Sequence, residues 1–120
     1  MTEVTLYHYP SCSTCRKAIS ALKRYGIEAK LVNIVDSPPS LHEIREMSAS
    51  VPGGAKKLLN TSGEVYRSLR LKDRLDTMTD SEIEELLSKH GKLIKRPFLI
   101  SPSVHLLGFH EDLWKSTLTA

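Results

Sequence analysis

"YPSCSTCRKA", residues 9–18, holds both cysteines of the chain, Cys12 and Cys15, with Arg16 and Lys17 directly behind them. Two cysteines at this spacing serve as half a zinc site, as a structural disulfide or as a redox centre, and the flanking sequence bears on which. Upstream, "VTLYHY" at 4–9 is β-branched and aromatic and reads as a strand that Pro10 ends. Downstream the pattern turns helical from Ser13 or Thr14. Cys15, Ala18, Ile19 and Leu22 then fall at i, i+3, i+4 and i+7 on one face, and Gly26 stands where a C-terminal cap belongs. "AKLVNI" at 29–34 reads as a second strand. The cysteines therefore occupy the turn from strand to helix in a β-α-β unit.

That position has a chemical consequence. The first N–H groups of a helix have no intrahelical partner, and the helix dipole favours negative charge there. Cys12, at the N-cap or in the first turn, gains thiolate character, and Arg16 and Lys17 lie close enough to add to it. Cysteines in such surroundings titrate at roughly 3.5–7.5. Cys15, one turn deeper on the apolar face, is placed to attack a mixed disulfide formed at Cys12, so the pair reads as an attacking and a resolving thiol. A structural zinc site needs two more ligands. The chain has no second Cys-x-x-Cys and no His-x3–5-His pair, and His8 on the first strand supplies one ligand at most.

The middle of the chain is helical. "SLHE" at 40–43 and "TDSE" at 79–82 have capping-box form, followed by the apolar sets Leu41, Ile44, Met47 and Ile83, Leu86, Leu87. "VPGGAKKLL" and "SGEVYRSL" allow short helices; Tyr66 reads as core with Arg67 its solvated neighbour, and "RLKDR" at 70–74 as surface. "FLI" at 98–100, after Pro97, is a short buried strand, with "VHLLGF" at 104–109 its hairpin partner across a turn at 101–103. "HEDLWKSTL" is a last helix with Leu113, Trp114 and Leu118 as core candidates. The order β-α-β, helices, β-β-α predicts an α/β fold, a mixed sheet of α+β character with helices on its faces.

A length of 120 residues suits one domain, and 40% hydrophobic with 26% charged residues is ordinary for a globular protein. The net charge of +3 admits anionic small molecules or an acidic partner surface but is too small to argue direct nucleic-acid binding. No apolar run is long enough to span a membrane, and the N-terminus lacks the basic and apolar regions of a secretory signal. A cytoplasmic location follows as the expectation, and there a disulfide framework is not expected.

Together, "YHYPSCSTCRKA", "NTSGEVYRSL", "GKLIKRP" and "LLGF", in this order over nearly the whole chain, resemble the arsenate reductase (ArsC)/Spx family. The resemblance implies a thioredoxin-like, more closely glutaredoxin-like, core at about 1–36 and 92–120, with an inserted helical segment at about 37–91. It implies a cis Pro97 facing Cys12 and shaping the groove for an extended thiol substrate. The family's arsenate reductases hold their oxyanion with the active cysteine and three arginines. Arg96 matches one of these; Asn60 and Gly108 stand at the other two positions. Asn and Gly do not replace a guanidinium fork.

The expected function is thiol–disulfide exchange, with Cys12 as nucleophile and Cys15 as resolving thiol. Arg96 stabilises the anion or thiolate, Pro97 and Asn60 line the binding site, and Arg16 is a lesser helper. No bound cofactor or metal is expected. The substrate is a small thiol or a protein disulfide, and the resemblance supplies glutathione, glutaredoxin or thioredoxin as electron source. Spx members carry a similar Cys-x-x-Cys, sense oxidation and bind the C-terminal domain of the RNA polymerase alpha subunit, so a redox-sensing regulator is the alternative. A true arsenate reductase is the third reading, with Lys57 or Arg67 supplying the missing charge.

Overall fold

The computed structural model describes residues 3–119. Its chain forms two compact units, Met1–Asn33 with Arg96–Ala120, and Ile34–Lys95.

The first unit is built on a four-stranded mixed sheet of β1 (Val4–His8), β2 (Ala29–Asn33), β3 (Phe98–Ile100) and β4 (His105–Leu107), in the order β2-β1-β3-β4. β1 pairs parallel with β2 and antiparallel with β3, which pairs antiparallel with β4. The helices of this unit are α1 (Ser13–Arg24) and α6 (Glu111–Leu118). This is the glutaredoxin-like arrangement that the resemblance implies. A parallel pair needs a crossover, and α1 supplies it between β1 and β2. The β3–β4 hairpin closes through Ser101, whose N–H donates to the Val104 carbonyl at 2.9 Å while its hydroxyl accepts from the Val104 N–H at 3.1 Å.

The apolar face of α1 lands where its periodicity places it. Ala18 and Leu22 join Val4, Leu6, Leu99, Leu106, Trp114 and Leu118 in one buried cluster. α1 ends in a Schellman motif: the Gly26 N–H donates to the Lys23 carbonyl and the Ile27 N–H to the Leu22 carbonyl. Gly26 makes this geometry accessible with φ +72°, a region that other residues enter at a cost. Leu113 departs from its expected place in the core and is 51% exposed. Trp114 and Leu118, four apart, share the buried face of α6. Leu113 lies about 100° around the helix from Trp114.

The second unit, Ile34–Lys95, is mainly helical. α2 (Leu41–Ser50) and α5 (Asp80–Lys89) both start on the expected capping boxes, with Ser40 and Thr79 as N-caps. Between them lie a 3-10 turn at Gly54–Leu58 and the short helices α3 (Glu64–Ser68) and α4 (Leu71–Arg74). Ile44, Met47, Leu58, Ile83 and Leu87 are buried in this unit. Tyr66 is not core as expected: α3 is five residues long and has no buried residue, too short to present a continuous apolar face. Glu84 is buried on α5 and pairs with Arg45 of α2 at 3.6 Å, a buried charge the sequence did not signal.

Candidate thiol site

Cys12 is the N-cap of α1. Its backbone is extended (φ −87°, ψ 113°), and its Sγ accepts the N–H of Cys15 at 3.3 Å. A hydroxyl or carboxylate oxygen usually fills that role; here the acceptor is a thiol sulfur. The first turn of α1 contains no acidic residue, so no side-chain charge there neutralises the helix's positive end. The Cys12 N–H donates to the Tyr9 carbonyl at 3.0 Å, which ties the cap to the end of β1. Cys12 is half-buried and Cys15 fully buried, and both thiols are free.

Arg96 is the guanidinium that acts on this thiol. It stacks over the Tyr9 ring, 5.0 Å from the centroid. No carboxylate among the described residues pairs with it. Its Nε is buried without a hydrogen-bond partner. Held by a ring face rather than a counter-ion, the charge stays available to sulfur. Partial burial pushes the Cys12 thiol up. Hydrogen bonds from the Cys15 thiol and N–H, then the hydrogen bond and charge of Arg96, outweigh that, and Cys12 lies below the ordinary thiol value. Cys15 goes the other way. Burial pushes it up to about 12, reinforced by its hydrogen bond to Cys12 and the Cys12 charge, against weaker lowering by Tyr9 and Arg96.

The Arg96–Pro97 peptide is cis, as the resemblance implies. Pro97 is held by the hairpin behind it: its carbonyl accepts the Gly108 N–H at 2.8 Å, and the Gly108 carbonyl accepts the indole N–H of Trp114 at 3.0 Å. Trp114 thus anchors α6 in the core and, through Gly108, the segment that carries Arg96 and Pro97. Gly108 has φ +68°. An arginine at this position would enter the left-handed region, which side chains other than glycine adopt at a cost.

Arg16 lies beside the pair on α1. It is exposed, and its guanidinium donates to the Pro10 carbonyl at 3.1 Å. Neither Arg16 nor Lys17 is among the causes that move the Cys12 thiol. Both side chains follow α1 along its exposed face, whereas Arg96 reaches the thiol from the segment that leads into β3. Asn60 belongs to the second unit, where its N–H donates to the Leu93 carbonyl at 2.7 Å and its amide to the Lys92 carbonyl at 3.4 Å. Lys57 is exposed there, and Arg67 donates to the Ser62 carbonyl at 2.9 Å. Tyr9 was read only as the end of a strand. Its adjacency to Pro10 and the cysteine turn is the available signal, but nothing local shows that an arginine just before β3 stacks on it. Among the described residues no group of three His, Cys, Asp or Glu side chains is placed to hold a metal ion. No helix among them is long and apolar enough to cross a membrane.

Residues 7–117 match the ArsC family. The Bacillus subtilis protein YusI is 41% identical over 109 residues, covering 91% of this chain and 92% of its own. The global transcriptional regulator Spx of Listeria innocua is 34% identical over 109 residues, 91% of this chain and 82% of its own. An arsenate reductase of Acidiphilium multivorum is 29% identical over 102 residues, 85% of this chain and 71% of its own. Among solved structures, an ArsC family related protein from Bacteroides fragilis superposes with a TM-score of 0.86 at 38% identity, covering 96% of this chain and 97% of that one.

Proposed function

This chain belongs to the ArsC family, and we propose that within it the protein is a thiol–disulfide reductase acting in a reducing compartment such as the cytoplasm. The observation that carries the reading is the opposed tuning of two thiols one helical turn apart: Cys12 lowered by donors and Arg96, Cys15 raised by burial. A nucleophile needs the thiolate, and a resolving thiol needs to wait.

The Cys12 thiolate attacks a substrate disulfide, the substrate S–S bond breaks, and one half leaves as a thiolate. In the resulting mixed disulfide Cys12 carries no charge, so the Cys12 charge that held the Cys15 proton is gone. Cys15 then loses its proton and attacks the Cys12 sulfur, the second half leaves, and a Cys12–Cys15 disulfide forms. The two electrons come from the protein's dithiol. An external thiol, glutathione or a glutaredoxin- or thioredoxin-type dithiol, restores it. Pro97 presents its neighbouring backbone to the extended substrate.

The test is to trap the intermediate. Reduced protein treated with a neutral disulfide should lose two hydrogens by mass spectrometry, without linked dimers. Cys15→Ser should stop as an adduct on Cys12, and Cys12→Ser should give none. An adduct that forms first on Cys15, or a product that is mainly intermolecular dimer, would sink the assignment.

The identity with relatives named Spx favours a second reading, a redox-sensing regulator that binds the RNA polymerase alpha subunit. Capture of that subunit's C-terminal domain, lost on Cys12–Cys15 oxidation, would support it; no capture in either redox state would reject it. Arsenate reduction is the weakest reading, because Gly108 and Asn60 leave Arg96 as the remaining arginine of the clamp.

A further inference from the structure

The exposed face of α1 carries a feature that the thiol chemistry above does not use. Ser13, Arg16, Lys17, Ser20 and Arg24 follow one another down the helix and, with Phe109 and Glu111, line a groove of about 560 Å³. That volume lies in the range of small-molecule sites, roughly 300–1,000 Å³. Three cations meet one carboxylate, and they are not equivalent. Arg24 is engaged: its guanidinium donates to the Glu111 carboxylate at 2.7 Å. Arg16 spends one of its donors on the Pro10 carbonyl. Lys17 has no partner among the described residues. The uncompensated charge therefore sits toward the end of the groove that starts at Ser13, the residue after Cys12, while the Arg24–Glu111 pair neutralises the other end. The Ser13 and Ser20 hydroxyls add donors, and Phe109 adds an apolar surface.

Cations and hydroxyl donors concentrated beside a nucleophilic sulfur suit a ligand that carries carboxylates close to its own sulfur. We propose, on the footing that Cys12 is the attacking thiol, that this groove holds the carboxylates of a small acidic disulfide and makes the protein select acidic over neutral and cationic disulfides. The electron balance is that of the exchange itself: both halves of the bound disulfide leave as thiols, and the protein's dithiol becomes the Cys12–Cys15 disulfide.

The experiment follows single-turnover oxidation of the reduced protein by three probes: oxidised glutathione (acidic), bis(2-hydroxyethyl) disulfide (neutral) and cystamine (cationic). Lys17→Glu and the double variant Arg16→Gln/Lys17→Gln are compared with Lys30→Gln, which removes an exposed charge from β2. The acidic-to-neutral rate ratio should fall about tenfold in Lys17→Glu, a loss comparable to one charge-assisted contact. The loss should lie in the half-saturation concentration and not in the plateau rate. The cystamine-to-neutral ratio should move the other way, and Lys30→Gln should leave both ratios within about twofold. Ratios unmoved by the Arg16 and Lys17 changes, or moved equally by Lys30→Gln, overturn the groove while the neutral probe still reports a working Cys12. If the unaltered protein reduces none of the probes, the reading of Cys12 falls and the groove falls with it.

Discussion

Two kinds of helix start occur in this protein. α2 and α5 begin on full capping boxes, where the Ser40 and Thr79 hydroxyls accept an N–H and Glu43 and Glu82 reach back to the cap. Both ends carry acidic residues in the first turn. α1 begins on a sulfur and has no acidic residue in its first turn. The first arrangement satisfies the donors of a helix end and neutralises its partial charge. The second leaves that charge for a thiolate. The same local rule satisfies a helix end with oxygen in one unit and with sulfur in the other, and on the proposed function the second start serves reactivity.

Replacing the cap is the strongest way to break the comparison. Cys12→Ser turns the α1 start into an ordinary one. Disulfide exchange should fall at least roughly a thousandfold, since the thiolate is the nucleophile. The unfolding free energy should hold or rise by up to about 1 kcal/mol, because Ser is among the best N-caps. Stopped-flow kinetics and urea denaturation on the same sample check both halves. Destabilisation by several kcal/mol would mean that Cys12 is chiefly structural.

Arg96→Ala should slow exchange near neutral pH by about three- to tenfold and move the alkylation midpoint of Cys12 upward. Each unit of rise costs up to tenfold in thiolate, partly offset because a more basic thiolate is a better nucleophile. Iodoacetamide alkylation against pH in a Cys15→Ser background measures it. A midpoint that does not move would remove Arg96 from the site.

The two thiols should also bend stability in opposite directions with pH. With Cys15→Ser only Cys12 titrates, and its folded value is lowered. Its contribution is full above the unfolded value of ~8.5 and is lost as pH falls through the folded value. With Cys12→Ser only Cys15 titrates, raised in the native protein to about 12 mainly by burial. Its contribution is full below ~8.5 and is lost as pH rises through the folded value. Urea midpoints across pH 6–11, as an order-of-magnitude window around those values and taken relative to the Cys12→Ser/Cys15→Ser double variant so that the other titrating groups cancel, should show the two slopes. Slopes of the same sign would contradict the opposed tuning.

The smallest effect belongs to the ordinary caps. Thr79→Ala should cost about 1 kcal/mol in urea denaturation and leave the exchange rate within experimental error. A matching loss of exchange rate would show that the helical unit contributes to catalysis.

Much of the fold was legible because its signals are local. The capping boxes at Ser40 and Thr79, the glycine after α1 and the β-branched and aromatic run "VTLYHY" each act over a few residues and each lies where expected. Leu113 was misjudged because an apolar residue beside Trp114 looks like core until the helix's rotation is known. Glu84 was missed because its burial depends on Arg45 from another helix. In the site, the resemblance points to Arg96, while the stacking of Arg96 on Tyr9 and the hydrogen bond from Trp114 to Gly108 depend on residues far apart in the chain.

By itself the sequence determined that a Cys-x-x-Cys pair stands at a helix start between two parallel strands, with Cys12 exposed to the helix's positive end and Cys15 on its apolar face. Spacing and capping suffice for that, because both act within two turns of chain. Only the tertiary structure shows which cation lies against the thiol. Arg16 and Lys17, nearest in sequence, follow α1 along its exposed face, while Arg96 reaches Cys12 because β3 pairs beside β1 and the Tyr9 ring holds its guanidinium. Proximity along a helix is fixed by 3.6-residue geometry, whereas proximity across a sheet is fixed by strand order, which no local pattern encodes.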